Sequence, residues 1–387
     1  MAKIAGFVCG RGRTRVLFLA AFVAIVGAIA ATRPWIAAQA QAFVVGASVV
    51  DAPGLTWLVT RATDEPRLAE ARIGGVAATI AQPEANGPWP AIVLLNGATA
   101  LGRHDERIRA LTEGFARAGF LVVVPELPGL RHGEVTREAL RAAVAVAEAS
   151  ARRADVRDGK IALFGMSTGG SLALLVAEHA SLARLVRVVA AMGAFTDIRA
   201  ALRLATTRTY EDDGRLVGYR PEPYLSLVVG RSLIAALPSN PDRLRLSEAL
   251  EDADPNAVDP LATLWAIPRA ELAQPARAVV ALLLNREPRQ FDALYAALPA
   301  AVRAACQRLS PVSGAARLRV PVLLAADARD AYFPPAQARE LTAAAPDGTV
   351  TTIRTVSHSA PRAFPWGLVD VIRLDQFLVR ALRLASA

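Results

Sequence analysis

The fold is decided by the stretch Lys160-Ile-Ala-Leu-Phe-Gly-Met-Ser-Thr-Gly-Gly-Ser-Leu-Ala-Leu-Leu-Val-Ala177. It begins with the apolar run Ile161–Phe164, which is typical of a short buried strand, and it ends in an Ala/Leu-rich segment that is typical of a helix. Between them, Gly165–Gly169 has the pattern G-x-S-x-G, and small residues at such a turn let strand and helix pass closely. The layout predicts a nucleophile elbow at Ser167; the alternative is a glycine-rich turn that contains an ordinary serine.

Apolar runs of strand length recur on both sides of this stretch and alternate with helical patterns. Strands are predicted at 71–80, 91–95, 120–124, 161–164, 185–191, 320–326 and 349–356. Helices are predicted at about 105–118, at 134–154, after the elbow, and at about 366–384. Such alternation predicts an α/β fold with a mostly parallel central sheet flanked by helices, and it places function at the carboxyl ends of the strands.

The alternation breaks after Phe195. Residues 196–309 show Ala/Leu/Arg helical patterns that are interrupted by prolines, and their apolar content is too high for a disordered linker. We therefore expect a helical lid insertion at 196–309, with the sheet and its helices formed by residues 43–195 and 310–387.

Residues 1–42 are predicted to be a targeting segment. Four basic residues and no acidic residue lie in the first fifteen positions, and residues 16–31 carry no charge. This order predicts either a signal peptide or a membrane anchor. Small-x-small sites at 38–40 and 40–42 lie far beyond the apolar run, whereas Arg33-Pro-Trp35 resembles an interfacial flank. We therefore favour an uncleaved single-pass anchor over a cleaved signal; in both cases the remainder is exported.

The composition limits the partners. The chain of 387 residues has a formal net charge of +9, but its Arg residues are scattered along helical stretches and no basic run is interleaved with aromatic residues. This argues against a nucleic-acid partner. Two cysteines cannot form a disulfide framework, and no His, Cys or carboxylate cluster has the spacing of metal ligands. We expect no metal and no cofactor, and a small-molecule or acyl substrate.

A nucleophilic serine needs a base, and the base needs an acid to orient it. In this topology the acid and then the histidine follow the serine along the chain. Of the four histidines, His104 and His132 precede Ser167, and His179 lies in the predicted helix after it, about three turns from the elbow. His358 follows the last predicted strand and is therefore the predicted base. Asp327 and Asp330 both follow strand 320–326. We favour Asp330 as the acid, because Asp327 is close enough to the strand end to cap the turn.

The oxyanion of an acyl-transfer intermediate requires two hydrogen-bond donors. One is expected from the backbone N–H of Thr168, at the start of the helix that follows the serine. The other is expected from the backbone N–H of Ala98, in the loop after strand 91–95.

Together these residues resemble the α/β-hydrolase superfamily, and within it the branch of dienelactone hydrolase and prolyl oligopeptidase. The resemblance rests on Leu94-Leu-Asn-Gly97, on Gly165–Gly169, on Ser310-Pro311 leading into strand 320–324, and on Asp330 and His358. Asn96 stands where the family often has His, and Ala326 or Asp327 where it often has Gly. The resemblance implies hydrolysis of an ester, thioester, lactone or amide through an acyl-enzyme, without a metal.

Two other functions use the same sequence features. A membrane-tethered binding protein could have kept the hydrolase fold without its chemistry, although none of the three predicted catalytic residues is missing. An acyltransferase would use the same triad and differ in excluding water.

Overall fold

The computed structural model describes residues 33–49, 53–354, 356–358, 360–361 and 367–387. Its strands, in chain order, are β1 Arg67–Ile73, β2 Val76–Gln82, β3 Trp89–Leu95, β4 Leu121–Pro125, β5 Val156–Met166, β6 Val186–Met192, β7 Thr209–Asp212, β8 Arg215–Gly218, β9 Val322–Asp327, β10 Gly348–Ile353, β11 Val356–Ser357 and β12 Ala360–Pro361. Its helices are α1 33–49, α2 Pro53–Ala62, α3 Glu106–Arg117, α4 Arg137–Ala151, α5 Thr168–Ala177, α6 Ile198–Thr207, α7 Tyr224–Ala235, α8 Pro241–Glu251, α9 Gln274–Leu283, α10 Phe291–Ala297, α11 Ala300–Arg308, α12 Pro335–Ala344 and α13 Leu368–Ser386.

A mostly parallel sheet of eight strands lies at the centre, in the order β1-β2-β4-β3-β5-β6-β9-β10. The pairings from β4 through β10 are parallel, and only β1 and β2 are antiparallel to their neighbours. Strand β4 is buried along its whole length, as expected for a parallel strand with both faces covered. The predicted α/β class with a mostly parallel central sheet is confirmed.

The predicted strand at 71–80 is two strands. Gly74 and Gly75 have φ values of 58° and 81°, and they form the tight turn between β1 and β2. Two consecutive residues with positive φ match the two-residue turn that joins antiparallel strands. The Gly-Gly pair lies inside a continuous apolar pattern, which is why the sequence predicts one strand where the structure has two.

The two faces of the sheet are covered by different helices. One face packs with α4, α5 and α12 in a large apolar cluster, which also includes side chains of α6 and α7. The other face packs with α1, α3 and α13. Ser167 lies at the end of the central strand β5, so the turn at Ser167 is close to the helices on both faces of the sheet.

The segment 196–309 contains helices α6 to α11 and a separate apolar cluster of its own. It also contains the hairpin β7-β8, which the sequence did not predict because its strands are short and polar. Asp213 and Gly214, with φ values of 49° and 74°, form the turn of this hairpin. The domain bounds at 42, 195 and 309 stay a prediction.

Helix α1 crosses the predicted boundary at residue 42. Its buried residues Ala38, Ala42 and Val45 have the spacing of one helix face and pack on the core, and the possible cleavage sites at 38–40 and 40–42 lie within this helix. The predicted apolar segment 16–31 lies outside the described residues. Among the residues that the structure does describe, no helix is both long enough and apolar enough to cross a membrane.

A buried carboxylate lies at the C-terminal end of the elbow helix α5. The Glu178 side chain is 9% exposed, it lies against Gly314, and its nearest cation is Arg317, at 3.3 Å. Burial raises the pKa of Glu178 from 4.5 to about 7, because the charged form loses hydration that Arg317 only partly replaces.

Glu178→Gln is expected to remove a pH dependence of stability. Between pH 4.5 and about 7 the folded protein keeps a proton on Glu178 that the unfolded chain has lost, so the free energy of unfolding falls as pH rises through this window. The shift corresponds to a loss of up to about 3 kcal/mol by pH 8. Urea unfolding at pH 5 and pH 8 measures this. Exposed Glu248→Gln, the control, should retain the wild-type pH dependence; the same dependence in Glu178→Gln contradicts the prediction.

Candidate active site

Ser167 occupies a strained turn between β5 and α5. Its φ is 53° and its ψ is −128°, a conformation that few side-chain-bearing residues adopt. Its N–H donates to the carbonyl of Met192 at 2.8 Å, which fixes the turn to the end of β6. The serine is therefore held at the carboxyl edge of the sheet.

Three glycines around Ser167 leave no room for a side chain. A Cβ at Gly169 would lie 2.1 Å from the carbonyl oxygen of Leu95, and one at Gly165 would lie 2.5 Å from the carbonyl oxygen of Gly169. A Cβ at Gly97 would lie 3.0 Å from the Cβ of Ser167. The glycines of the G-x-S-x-G pattern thus let α5 start directly against the ends of β3 and β5.

His358 and Asp330 are in contact. The Nδ1 atom of His358 lies 3.0 Å from both carboxylate oxygens of Asp330, and the two residues are only 7% and 6% exposed. The backbone N–H groups of Tyr332 and Phe333 donate to Asp330 Oδ1 at 2.6 and 2.8 Å. The carboxylate is therefore fixed by its own turn, and it orients the imidazole through Nδ1.

Asp327, the other candidate acid, is fully buried at the end of β9. Its Oδ1 accepts the backbone N–H of Arg329 at 2.9 Å. This is the turn-capping contact that the sequence analysis assigned to it, and Asp330 is the residue that meets His358.

Aromatic rings and a glycine enclose the imidazole. The ring centroids of Tyr332 and Phe333 lie 4.5 and 5.8 Å from that of His358. A Cβ at Gly193 would lie 2.9 Å from His358 Nδ1, so this position tolerates only glycine. The Tyr219 hydroxyl donates to the carbonyl of Asp330 and connects the loop of Asp330 to the segment 196–309.

Ser167 and His358 line one cleft of about 390 Å³, together with Ala98 and Thr168. The cleft thus brings together four of the five residues predicted from sequence, and Asp330 lies behind His358. Among the described residues, no hydrogen bond joins Ser167 to His358. Catalytic hydrogen bonds are often long or poorly aligned before substrate binds, so the pair can still act together.

The N–H of Ala98 already has a partner. It donates to the Thr168 side-chain Oγ1 at 2.7 Å, and the Tyr224 hydroxyl donates to the carbonyl of Ala98 at 3.1 Å. The second expected oxyanion donor is therefore engaged in the free protein. Sequence reasoning did not find either contact, because Thr168 and Tyr224 are far from Ala98 in the chain and carry no motif for it.

A small apolar chamber of about 50 Å³ adjoins the cleft and lies between the start of α5 and helices α6, α7 and α11. It shares Thr168, Leu225, Val228 and Phe333 with the cleft, and Cys306 lies in its wall. Burial raises the pKa of the Cys306 thiol to about 12, so this cysteine is not a thiolate nucleophile at neutral pH.

Within the described part of the chain, no three His, Cys, Asp or Glu side chains form a group that could hold a metal ion. The expectation that the protein needs no metal and no cofactor stays a prediction.

A comparison with protein families assigns the chain. Residues 75–358 match the model of the peptidase S15 family, described as X-Pro dipeptidyl-peptidase. The chain belongs to this family. The superfamily expected from sequence, the α/β-hydrolase superfamily, is confirmed. A search of curated proteins finds no match.

Several solved structures are similar to this hydrolase. An acylaminoacyl peptidase shares 12% identity at a TM-score of 0.47, with 80% of this chain and 40% of that chain covered. A puromycin-hydrolysing peptidase of Mycobacterium tuberculosis shares 16% identity at a TM-score of 0.45, with 82% of this chain and 38% of that chain covered. Est1E from Butyrivibrio proteoclasticus shares 14% identity at a TM-score of 0.46, with 82% of this chain and 99% of that chain covered. The hydrolase thus spans about two-fifths of the length of the first two, which are peptidases.

Thr168→Val is expected to destabilise the hydrolase by about 1–3 kcal/mol, because it leaves the buried N–H of Ala98 without an acceptor. Thr168→Ser keeps the hydroxyl and is the matched control, with a smaller loss expected. The free energy of unfolding in urea measures both. A valine variant as stable as the serine variant would show that the contact between Ala98 and Thr168 contributes nothing.

Proposed function

We propose that the hydrolase cleaves an acyl bond through an acyl-enzyme, with Ser167 as nucleophile, His358 as general base and Asp330 as the orienting acid. The observation that carries this proposal is the contact of His358 with the buried Asp330 at the wall of the cleft onto which the Ser167 turn opens. Esters, thioesters, lactones and amides are the substrate classes.

The reaction has two halves. His358 takes the proton of the Ser167 hydroxyl as its oxygen attacks the substrate carbonyl, and the imidazolium is stabilised by Asp330. The same proton then passes to the leaving alcohol, thiol or amine as the acyl–leaving-group bond breaks. Water attacks the acyl-serine in the second half; His358 takes a proton from water and returns it to Ser167.

The N–H of Thr168 is the first oxyanion donor, since it stands at the beginning of α5, where helix N–H groups lack intrahelical acceptors. The N–H of Ala98 becomes the second when it exchanges the Thr168 hydroxyl for the oxyanion. The Tyr224 hydroxyl donates to the carbonyl of Ala98, in the next peptide group, and holds this residue in place during the exchange.

The inner chamber supports an apolar group on the acyl side of the substrate. Its walls are apolar side chains such as Leu225, Val228 and Leu233, and it opens beside Thr168. The family description adds a peptide bond that follows proline to the candidate amides. Glu222 lines the cleft and offers a carboxylate to a substrate amino group. A panel of short acyl esters and an Ala-Pro anilide separates these classes.

The export and tethering of the hydrolase are also part of this proposal. Four basic residues precede the uncharged segment 16–31, which supports a single-pass anchor with its basic side in the cytoplasm. The described part of helix α1 starts at residue 33 and packs on the core, so a tether at 16–31 would hold the catalytic domain close to the extracytoplasmic surface of the membrane.

Ser167→Ala is expected to abolish labelling by a fluorophosphonate probe, because the probe bonds only to an activated serine. The exposed Ser313→Ala is the control and should label like the wild type. In-gel fluorescence measures this. Equal labelling of wild type and Ser167→Ala would contradict the assignment, and labelling of neither would favour a non-catalytic binding protein.

Asp330→Asn is expected to lower kcat/KM by about 10³–10⁴, because the amide can no longer stabilise the imidazolium or fix its tautomer. Asp327→Asn, the matched control three positions away, is expected to lower it less than about tenfold, a barrier change of about 1.4 kcal/mol. Steady-state hydrolysis of a p-nitrophenyl ester measures both, with urea unfolding as a check on folding. The reverse order of losses would assign the acid to Asp327.

A further inference from the structure

Large apolar side chains are exposed on three helices that have no role in the proposed chemistry. Ile36 is 67% and Trp57 63% exposed. The exposed apolar residues of these helices, here called the α1/α2/α13 surface, are Trp35, Ile36, Phe43, Leu55, Trp57, Leu58, Leu368, Val369, Val371 and Ile372. Clustered exposure of this kind marks an interaction site on a soluble domain.

The three helices form one surface. Helices α1 and α13 run side by side, since the Gln39 side chain donates to Asp375 at 2.7 Å and the Arg383 guanidinium lies 4.6 Å from the Trp35 ring. Phe43 of α1, Leu55 of α2 and Val371 of α13 line the same groove.

This groove has a volume of about 310 Å³ and reaches the sheet itself. Its floor is formed by Leu94, Phe164, Met166 and Met192 at the ends of β3, β5 and β6. Of the described residues that line it, only Asp375 is charged, and its carboxylate accepts a hydrogen bond from the Gln39 amide. Met166 also lines the catalytic cleft, so one side chain separates the two spaces.

The walls of the groove are firmly packed on one side. Ser48 of α1 lies against Gly114 of α3, where a Cβ would come within 2.9 Å, and the Gln41 amide donates to the carbonyl of Ala118 at 3.0 Å. Helix α2, in contrast, buries only Val59 among its described side chains. The apolar faces of α2 and of the start of α13 therefore lack a covering layer from the described chain.

We propose that the α1/α2/α13 surface lies in the headgroup boundary of a lipid bilayer and that the groove holds one hydrocarbon chain of a bilayer lipid. The proposal rests on the tether proposed above. Only Thr32 separates the uncharged segment 16–31 from Arg33, the first described residue of α1, so a bilayer that holds this segment lies within a few residues of Trp35 and Ile36.

The side chains of the surface suit such a boundary. The Arg61 guanidinium lies 5.8 Å from the Trp57 ring, and Arg383 lies over Trp35. Tryptophan and arginine are placed together where hydrocarbon meets lipid headgroups, because the ring enters the apolar layer and the cation meets phosphate. The exposed leucine, isoleucine and valine side chains supply the apolar contact area.

The surface is tested with the full chain in phosphatidylcholine and phosphatidylglycerol vesicles. Nitroxide labels are placed singly at Ile36→Cys, Leu58→Cys and Ile372→Cys, with Cys9→Ser as background because Cys306 is buried. Val258→Cys, exposed on the inserted segment, is the control. The ratio of oxygen to nickel-chelate accessibility is expected to be at least fivefold higher at the three surface positions than at the control.

A fourth label, Ala24→Cys, reports the tether separately. Lipid exposure at Ala24 with aqueous surface positions overturns the surface proposal and keeps the tether. Lipid exposure of the surface positions with Ala24 in water overturns the tether and keeps the surface proposal. Aqueous accessibility at all four positions overturns both. Surface positions that are protected from both reagents and that cross-link between chains show a second copy of the protein as occupant, and this also overturns the proposal.

The groove is tested with vesicles that contain a phosphatidylcholine carrying a photoactivatable diazirine on its acyl chain. Cross-links are expected on groove residues such as Phe164 and Met192. Gly46→Phe should lower this labelling at least fivefold, because Gly46 lines the groove and has no atom within 4 Å of an added Cβ. Gly54→Phe, equally open but outside the groove, is the control. Absence of groove labelling, or equal labelling in both variants, overturns the lipid-chain assignment.

Discussion

The backbone conformation of Ser167 is the constraint on which the rest of the site depends. A φ of 53° is costly for a residue with a side chain, and the surroundings must impose it. They do so by close approach: α5 starts so near to β3 that a Cβ on Gly169 would lie 2.1 Å from the carbonyl of Leu95. The hydrogen bond from the Ser167 N–H to the carbonyl of Met192 holds the turn from the other side. The ends of strands β3, β5 and β6 together fix the position of the Ser167 side chain.

What could be predicted from sequence is what local pattern and chain order encode. Buried parallel strands are continuous apolar runs, so β3, β4, β5, β6 and β9 were recognisable, and the glycines around Ser167 indicated the tight passage of α5. Elimination among four histidines pointed to His358, and the structure places it in contact with Asp330. Both side chains follow strands that end at the same edge of the sheet, which explains why chain order alone brought them together.

What escaped prediction depends on contacts between distant parts of the chain. Ala98 and Thr168 are 70 positions apart, and the bond between them is a property of packing that no spacing encodes. The same is true of Tyr224, which reaches the loop of Ala98 from an inserted helix. The hairpin β7-β8 escaped for a different reason: its four-residue strands are too short and too polar to produce an alternating pattern.

The central strand also explains why an apolar groove lies behind the cleft at Ser167. Successive side chains of a strand point to opposite faces, so Leu163 of β5 packs with α4 and α5, whereas Phe164 and Met166 face α1 and α13. Helices α6, α7 and α11 cover the first face near the site and enclose a small chamber beside the cleft. No equivalent layer covers the second face at α2 and the start of α13 within the described residues. Because Met166 lines both spaces, whatever occupies the groove contacts a wall of the cleft that Ser167 lines.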